Sequence, residues 1–185
     1  QAVAAALDAG HMGLVSYALT TDDADEELAR LRAEGSDLSD IEARSRTRPD
    51  GEVIRWRAAF PPALGPAEPP FILEHEPVGA EWGEGARAAR ASFAHPIGGP
   101  ARITAVELPV PDIEATANAC ARSVGVQFSD IDPRSAHAAI GSQVVRLHHG
   151  APLWNPAVVE ISVGGIRELA GREIDAVGIR WRIRS

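Results

Sequence analysis

Ile54-Arg55-Trp56-Arg57 alternates apolar and charged side chains, and the same four residues return at Ile179-Arg180-Trp181-Arg182. In the first copy Ile54, Trp56, Ala58 and Phe60 share one side, with Arg55 and Arg57 on the other. In the second, Ile179, Trp181 and Ile183 oppose Arg180, Arg182 and Arg184. A period of two with one apolar and one polar face is the pattern of a half-buried β-strand. Its recurrence points to a duplicated unit. A second echo agrees: Val15 to Asp22 is strand-like and runs through acidic residues into a helix, and Ile103 to Asp112 does the same.

A chain of 185 residues with 45% apolar content has room for one large or two small folded units. No stretch approaches the roughly 20 apolar residues needed to span a bilayer, and the start has no basic region followed by an apolar run. A bacterial, cytoplasmic protein is the expectation. Gln1 reads as the middle of a longer protein, with further residues expected upstream. All 18 basic residues are arginine, which excludes lysine Schiff-base chemistry and the usual phosphate-binding P-loop. The net charge of −8 falls on the first half, where 17 acidic residues face 9 basic ones up to position 95. That imbalance argues against nucleic acid and anionic membranes as partners. A single cysteine excludes an internal disulfide. Cys120 shares a helical stripe with Ile113, Ala117 and Val124 and reads as core rather than nucleophile.

Along the chain, Val3 to Asp8 is helix-like and Gly13 to Thr21 reads as a strand. Asp22 is the expected cap of a helix with an Ala24, Leu28, Leu31 stripe, a Glu26–Arg30 pair and a stop at Gly35. Asp37 to Arg46 and the Trp56 strand form a hairpin around Arg48-Pro49-Asp50-Gly51. A further strand opens at Pro69-Pro70-Phe71-Ile72-Leu73-Glu74, and Glu81 to Pro100 is a linker. The second half repeats the order: a strand at Ile103–Val110, a helix from Asp112 to Ser123, and strands at Val126–Ile131, His137–Ile140 and Gln143–His148. Pro156–Val163, a brief helix near Ile166–Ala170 and the Trp181 strand close the chain.

Strand–helix–strand–strand–strand, carried by Ser16-Tyr17-Ala18-Leu19-Thr20-Thr21-Asp22-Asp23, Arg48-Pro49-Asp50-Gly51 with Trp56-Arg57, Pro70-Phe71-Ile72-Leu73-Glu74, His95-Pro96 and Ile103 to Asp112, resembles the glyoxalase-like domain proteins of the vicinal oxygen chelate superfamily. The resemblance implies an α+β fold of repeated βαβββ modules forming curved mixed sheets around a small-molecule cavity. It divides the chain into 1–95, the second half of a module pair whose partner lies upstream, and 99–185, a second module with a degenerate closing one. A homodimer is the expected assembly, because a lone module leaves a sheet edge unpaired.

In that superfamily a divalent metal is held by His, Gln or Glu on opening strands and Glu on a closing strand. The opening positions here fall on Ser16 and Ala105, which are poor donors, and the closing position falls on Glu74. The resemblance thus makes Glu74 the candidate metal ligand and catalytic base, for Zn, Ni, Mn or Fe, with Tyr17, Arg55 and Trp56 contacting substrate. The bland alternative for Glu74 is a carboxylate pairing Arg55 or Arg57. His75 points opposite Glu74 and Glu76, so those three cannot converge without a bend, and the same holds for His148-His149. His95 lies in the linker and reads as a solvated polar residue, and His11 and His137 have no partners at ligand spacing. Three functions remain open: a metal-dependent lyase, dioxygenase or isomerase acting on a small vicinal-oxygen substrate, a metal-free protein that sequesters a small molecule in the same cavity, or a structural dimerisation module.

Overall fold

The computed structural model describes residues 13–49, 51–76, 101–151, 156–163 and 170–184, with positions 8, 10, 84 and 88. Expectations placed on residues 1–7, on His11, on most of the 81–100 linker including His95, and on residues 164–169 lie outside the described residues. The chain is α+β. Its first sheet is built from β1 (Ala18–Thr20), β2 (Glu42–Thr47), β3 (Val53–Ala59) and β4 (Phe71–His75), in the order β1-β4-β3-β2. Helix α1 (Ala24–Ala33) follows β1. Strands β1 and β4 are parallel and the other pairs antiparallel.

The second sheet holds β5 (Ala101–Val110), β6 (Ser135–Ile140), β7 (Gln143–His149), β8 (Ala157–Val163), β9 (Glu173–Ala176) and β10 (Ile179–Arg184), with helix α2 (Ile113–Val124) after β5. Its order, β6-β7-β5-β8-β10-β9, has the same pattern from both edges. On each side a hairpin lies beside an opening strand, the nearer hairpin strand running parallel to it. The two opening strands, β5 and β8, meet antiparallel at the centre.

The two echoes in the sequence fare differently. The opening-strand echo occupies equivalent places, β1 and β5, and each strand leads into an aspartate that caps the next helix. Asp23 and Asp112 share an extended backbone (φ −143°, ψ 108° and φ −140°, ψ 108°), and each accepts from the amide three residues on. The Ile-Arg-Trp-Arg echo does not. Its first copy lies in β3, antiparallel to closing strand β4, whereas its second is itself the closing strand β10, parallel to β8. Any strand with one apolar face accepts that alternation, so its recurrence marks a kind of environment and not a homologous position. Replacing Asp112 with alanine removes the bond to Ala115 N–H (2.9 Å). The expected cost is about 1 kcal/mol, read as a lower urea midpoint with unchanged slope.

Local details correct the sequence reading. The cap is Asp23, not Asp22, which leaves Glu26 as the residue whose amide is capped. Arg30 therefore pairs with Glu27 (2.7 Å) and Glu34 (3.0 Å) and not with Glu26. Gly35, at φ 94°, ends α1 with Gly35 N–H on Arg32 O and Ser36 N–H on Leu31 O, the paired bonds of a Schellman turn. The first strand is confined to 18–20, and β2 begins at Glu42. The strand expected over 126–131 shrinks to one bridge between Ser129 and His137. There the chain turns: Asp130 takes φ 50°, and Asp132 accepts from Arg134 and Ser135 amides. Strand β9 is an addition to the expected elements. It joins β10 through Val177 (φ 49°) and Gly178 (φ 73°), a two-residue turn whose first residue is an unusual choice for positive φ.

Two cores share α2. Ile113 and Ala117 pack with Leu108, Val110, Val145 and Leu147 on the second sheet. Cys120 and Val124, on the same helix, pack with Leu28 and Leu31 of α1, Leu38 of the connection to β2, and Ala59 and Ile72 of the first sheet. Cys120 is thus core, as its spacing predicts. Ser36 Oγ donates to Ser123 O (2.6 Å), and Ser123 Oγ donates to Asp37 Oδ1, tying α2 to the end of α1. Each fully buried leucine contributes about 1.5–3 kcal/mol.

Candidate functional site

The register of the first sheet decides where its polar residues point. Arg57 lies opposite Glu74 and Ala59 opposite Ile72. Ala59 and Ile72 belong to the core under α1, so Arg57 and Glu74 share the helix-facing side. Glu74 Oε2 accepts the amide of Ala24 (2.9 Å), the first residue of α1, and stands 3.4 Å from Arg57 Nη1. Arg57 Nη2 donates to Asp25 Oδ2 (2.6 Å). That hydrogen bond, and the charges of Asp25 and Glu74, hold the guanidinium above its ordinary pKa. Glu74 therefore serves the start of α1 beside Asp23, and satisfies an amide that the helix leaves unbonded.

The four residues singled out in the sequence do not gather at one point. Arg55 is exposed and on the side of Arg57 and Glu74. Trp56 is on the other side, opposite His75 in the ladder. Tyr17 packs against the core of the second sheet, beside Cys120. Burial raises the Tyr17 phenol well above its ordinary pKa and pushes the Cys120 thiol up to about 11, so both are protonated at neutral pH. Ser16 Oγ is buried and has no hydrogen-bond partner among the described residues.

The second sheet turns a different surface outward on the side away from α2. Across its strands run two rows: His137, Arg146, Glu107, Val158, Arg180 and Asp175, then Ala139, Val144, Ala105, Glu160, Arg182 and Glu173. Ala105, 1% exposed, lies beneath the charges, and its methyl leaves room for longer neighbours to reach diagonally. Glu107 Oε1 accepts from Arg146 Nη1 (3.2 Å) and Arg182 Nη1 (2.7 Å). Glu160, 8% exposed, has Arg184 Nε at 2.9 Å, Arg146 Nη1 at 3.8 Å and Arg182 Nη1 at 4.0 Å. Thr104 Oγ1 donates to Glu160 at 3.3–3.4 Å, and Glu173 accepts from Arg182 Nε (2.8 Å).

Beside this network a cleft of about 380 Å³ is lined by Glu107, Ser135, His137, Arg146, His148 and Val158. Burial lowers the pKa of His148, against a smaller opposing pull from Glu107, so the imidazole is neutral at pH 7. His137 Nδ1 is 3.6 Å from Asp130. On the other side of the same sheet, Ile103, Ile161, Ile174, Trp181 and Ile183 line an apolar recess of about 410 Å³. Reading the sequence alone misses the charged network. The one signal that could have found it is Glu160, a lone carboxylate in the apolar run Ala157-Val158-Val159-Glu160-Ile161.

Among the described residues no three His, Cys, Asp or Glu side chains group as metal ligands would. The donor set of the open face does not suit a divalent ion either. Glu107 already accepts from two guanidinium groups and Glu160 is ion-paired with a third, so a cation placed between them would meet arginine nitrogens within 4.0 Å of the same oxygens.

A family model described as a glyoxalase-like domain matches residues 1–125. Its end falls on Gly125, which closes α2 in the left-handed conformation. No curated protein sequence matches. Among solved structures, a hypothetical protein from Staphylococcus aureus is similar in fold, with a TM-score of 0.68 at 13% identity. The match covers 90% of this chain and 64% of that one.

Proposed function

The chain belongs to the glyoxalase-like domain family, and on that premise we propose that it binds a small molecule without a metal, in the cleft on the open face of the six-stranded sheet. The observation that carries this is the engagement of Glu107 and Glu160 by Arg146, Arg182 and Arg184. Guanidinium groups supply there the positive charge that a metal would bring, as hydrogen-bond donors at Glu107 and by ion pairing at Glu160. Glu74 fits a supporting role in this reading, since it holds the start of α1 on the helix-facing side.

A metal-dependent lyase, dioxygenase or isomerase remains the competing outcome, with Glu74 or Glu107 as ligand. The deciding experiment is elemental analysis after incubation with Zn, Ni, Mn and Fe(II), paired with NMR of the His137 and His148 rings during titration with small polar compounds. Sub-stoichiometric metal together with saturable ring shifts supports metal-free binding. One equivalent of metal, lost on Glu74→Ala or Glu107→Gln, overturns it. A cytoplasmic homodimer belongs to the same proposal. Its support is the exposure of Ile103, Ile174 and Val177, and no helix among the described residues is long and apolar enough to cross a membrane.

A further inference from the structure

The arginines of the open face are not equally engaged. Arg182 takes Glu107 at 2.7 Å and Glu173 at 2.8 Å, and Arg184 holds Glu160 at 2.9 Å. Arg146 keeps only the longer contacts, 3.2 Å to Glu107 and 3.8 Å to Glu160, and both run through Nη1. Among the described residues its hydrogen bond runs through Nη1, with none from Nε or Nη2, and Arg146 is the arginine that lines the cleft. The two carboxylates it touches thus lie closer to other guanidinium groups, Glu107 to Arg182 and Glu160 to Arg184. Around it the cleft offers a neutral imidazole at His148, the Val158 side chain as an apolar wall, and the Ser135 hydroxyl, which itself faces Asp132 at 3.3 Å. Asp130 faces His137 from beyond the rim.

We propose that the cleft selects a small carboxylate, gripped at two points by the unengaged edge of Arg146, with the ligand's apolar body against Val158. The planar fork of a guanidinium matches a carboxylate in geometry as well as charge. The anion would complete a set in which Arg146 at present shares partners that others hold more closely. This rests on the cleft being the ligand site, as proposed above.

The test uses the whole chain and three probes: benzoate, its neutral isostere benzamide, and inorganic phosphate, each titrated while the His137 and His148 ring signals are followed. Benzoate is expected to saturate those shifts and to bind about tenfold or more tightly than benzamide. Arg146→Gln is expected to abolish that preference, Arg146→Lys to retain a small part of it, and Arg44→Gln on β2 to leave it unchanged. Equal binding of benzoate and benzamide overturns the carboxylate assignment while leaving the cleft as a binding site, and so does phosphate binding more tightly than benzoate. If none of the probes moves either ring, the site itself fails along with the assignment. Should Arg146→Gln not fold, the comparison of benzoate with benzamide in the unaltered protein decides.

Discussion

Truncating Leu31 to alanine is expected to lower the unfolding free energy by about 3–4 kcal/mol, toward the upper part of the usual range for buried leucine. Leu31 is 1% exposed and sits where three elements meet: α1, the first sheet through Ala59 and Ile72, and α2 through Cys120 and Val124. A cavity there is hard to collapse. The first sheet is held by its ladder, α1 by Glu74 and Asp23 at its start, and α2 by Asp112 and the Ser36–Ser123 bond. The close approach of Gly125 to Leu31 shows how tightly the site is filled, since a Cβ on that glycine would lie 3.2 Å from Leu31 Cδ2. In urea, with a slope of roughly 2 kcal/mol per molar, the midpoint should fall by about 1.5–2 M. A fall of less than about 0.5 M would mean that the three elements are not packed together in solution.

The second large effect belongs to Glu160. Glu160→Ala is expected to cost about 2–3 kcal/mol, somewhat less than the usual loss when one member of a fully buried ion pair is removed. The carboxylate is buried, but Arg184, Arg146 and Arg182 are 52%, 39% and 24% exposed at their side chains, so water relieves part of the repulsion left behind. Its loss leaves Glu107 and Glu173 facing the three arginines. The cost is therefore expected to shrink as salt rises from about 0.05 to about 0.5 M, because exposed like charges are screened over about 10 Å or less. A double substitution, Glu160→Leu with Arg146→Met, is expected to recover more than half of the loss, as apolar groups of similar volume often replace buried ions without penalty. If the single substitution is neutral at low salt, the network is a set of independent surface pairs and holds nothing together.

What the sequence disclosed and what it hid divide along the range of the signals. Caps, helix stripes and the hairpin at Arg48 to Gly51 are local, and all of these are legible within a residue or two, down to Cys120 as core. Alternation in β3 is legible too, but not its meaning. The apolar set Ile54, Trp56 and Ala58 invites the conclusion that it faces the helix, whereas the ladder places Ala59, Arg57 and Glu74 on that side. A period of two says that faces differ; it does not say which neighbour each meets. Strand β9 is hidden because Val177 is a poor residue for the turn that precedes β10. The charged network is hidden for another reason. Glu107 meets Arg146 at 39 residues' separation and Arg182 at 75, through strands whose order no local pattern reveals.

Because α2 divides its apolar face between two sheets, the chain resists being cut where its composition changes. A fragment beginning near residue 101 would carry the six-stranded sheet and its cleft, but with Cys120 and Val124 turned to water. A fragment ending before it would lose the cover over Leu28, Leu31 and Ile72. Neither piece inherits a finished interior. A unit that closes both cores must carry the first sheet, α2 and strands β5 to β8, so the first sheet is on loan to a helix that comes after the opening strand of the second.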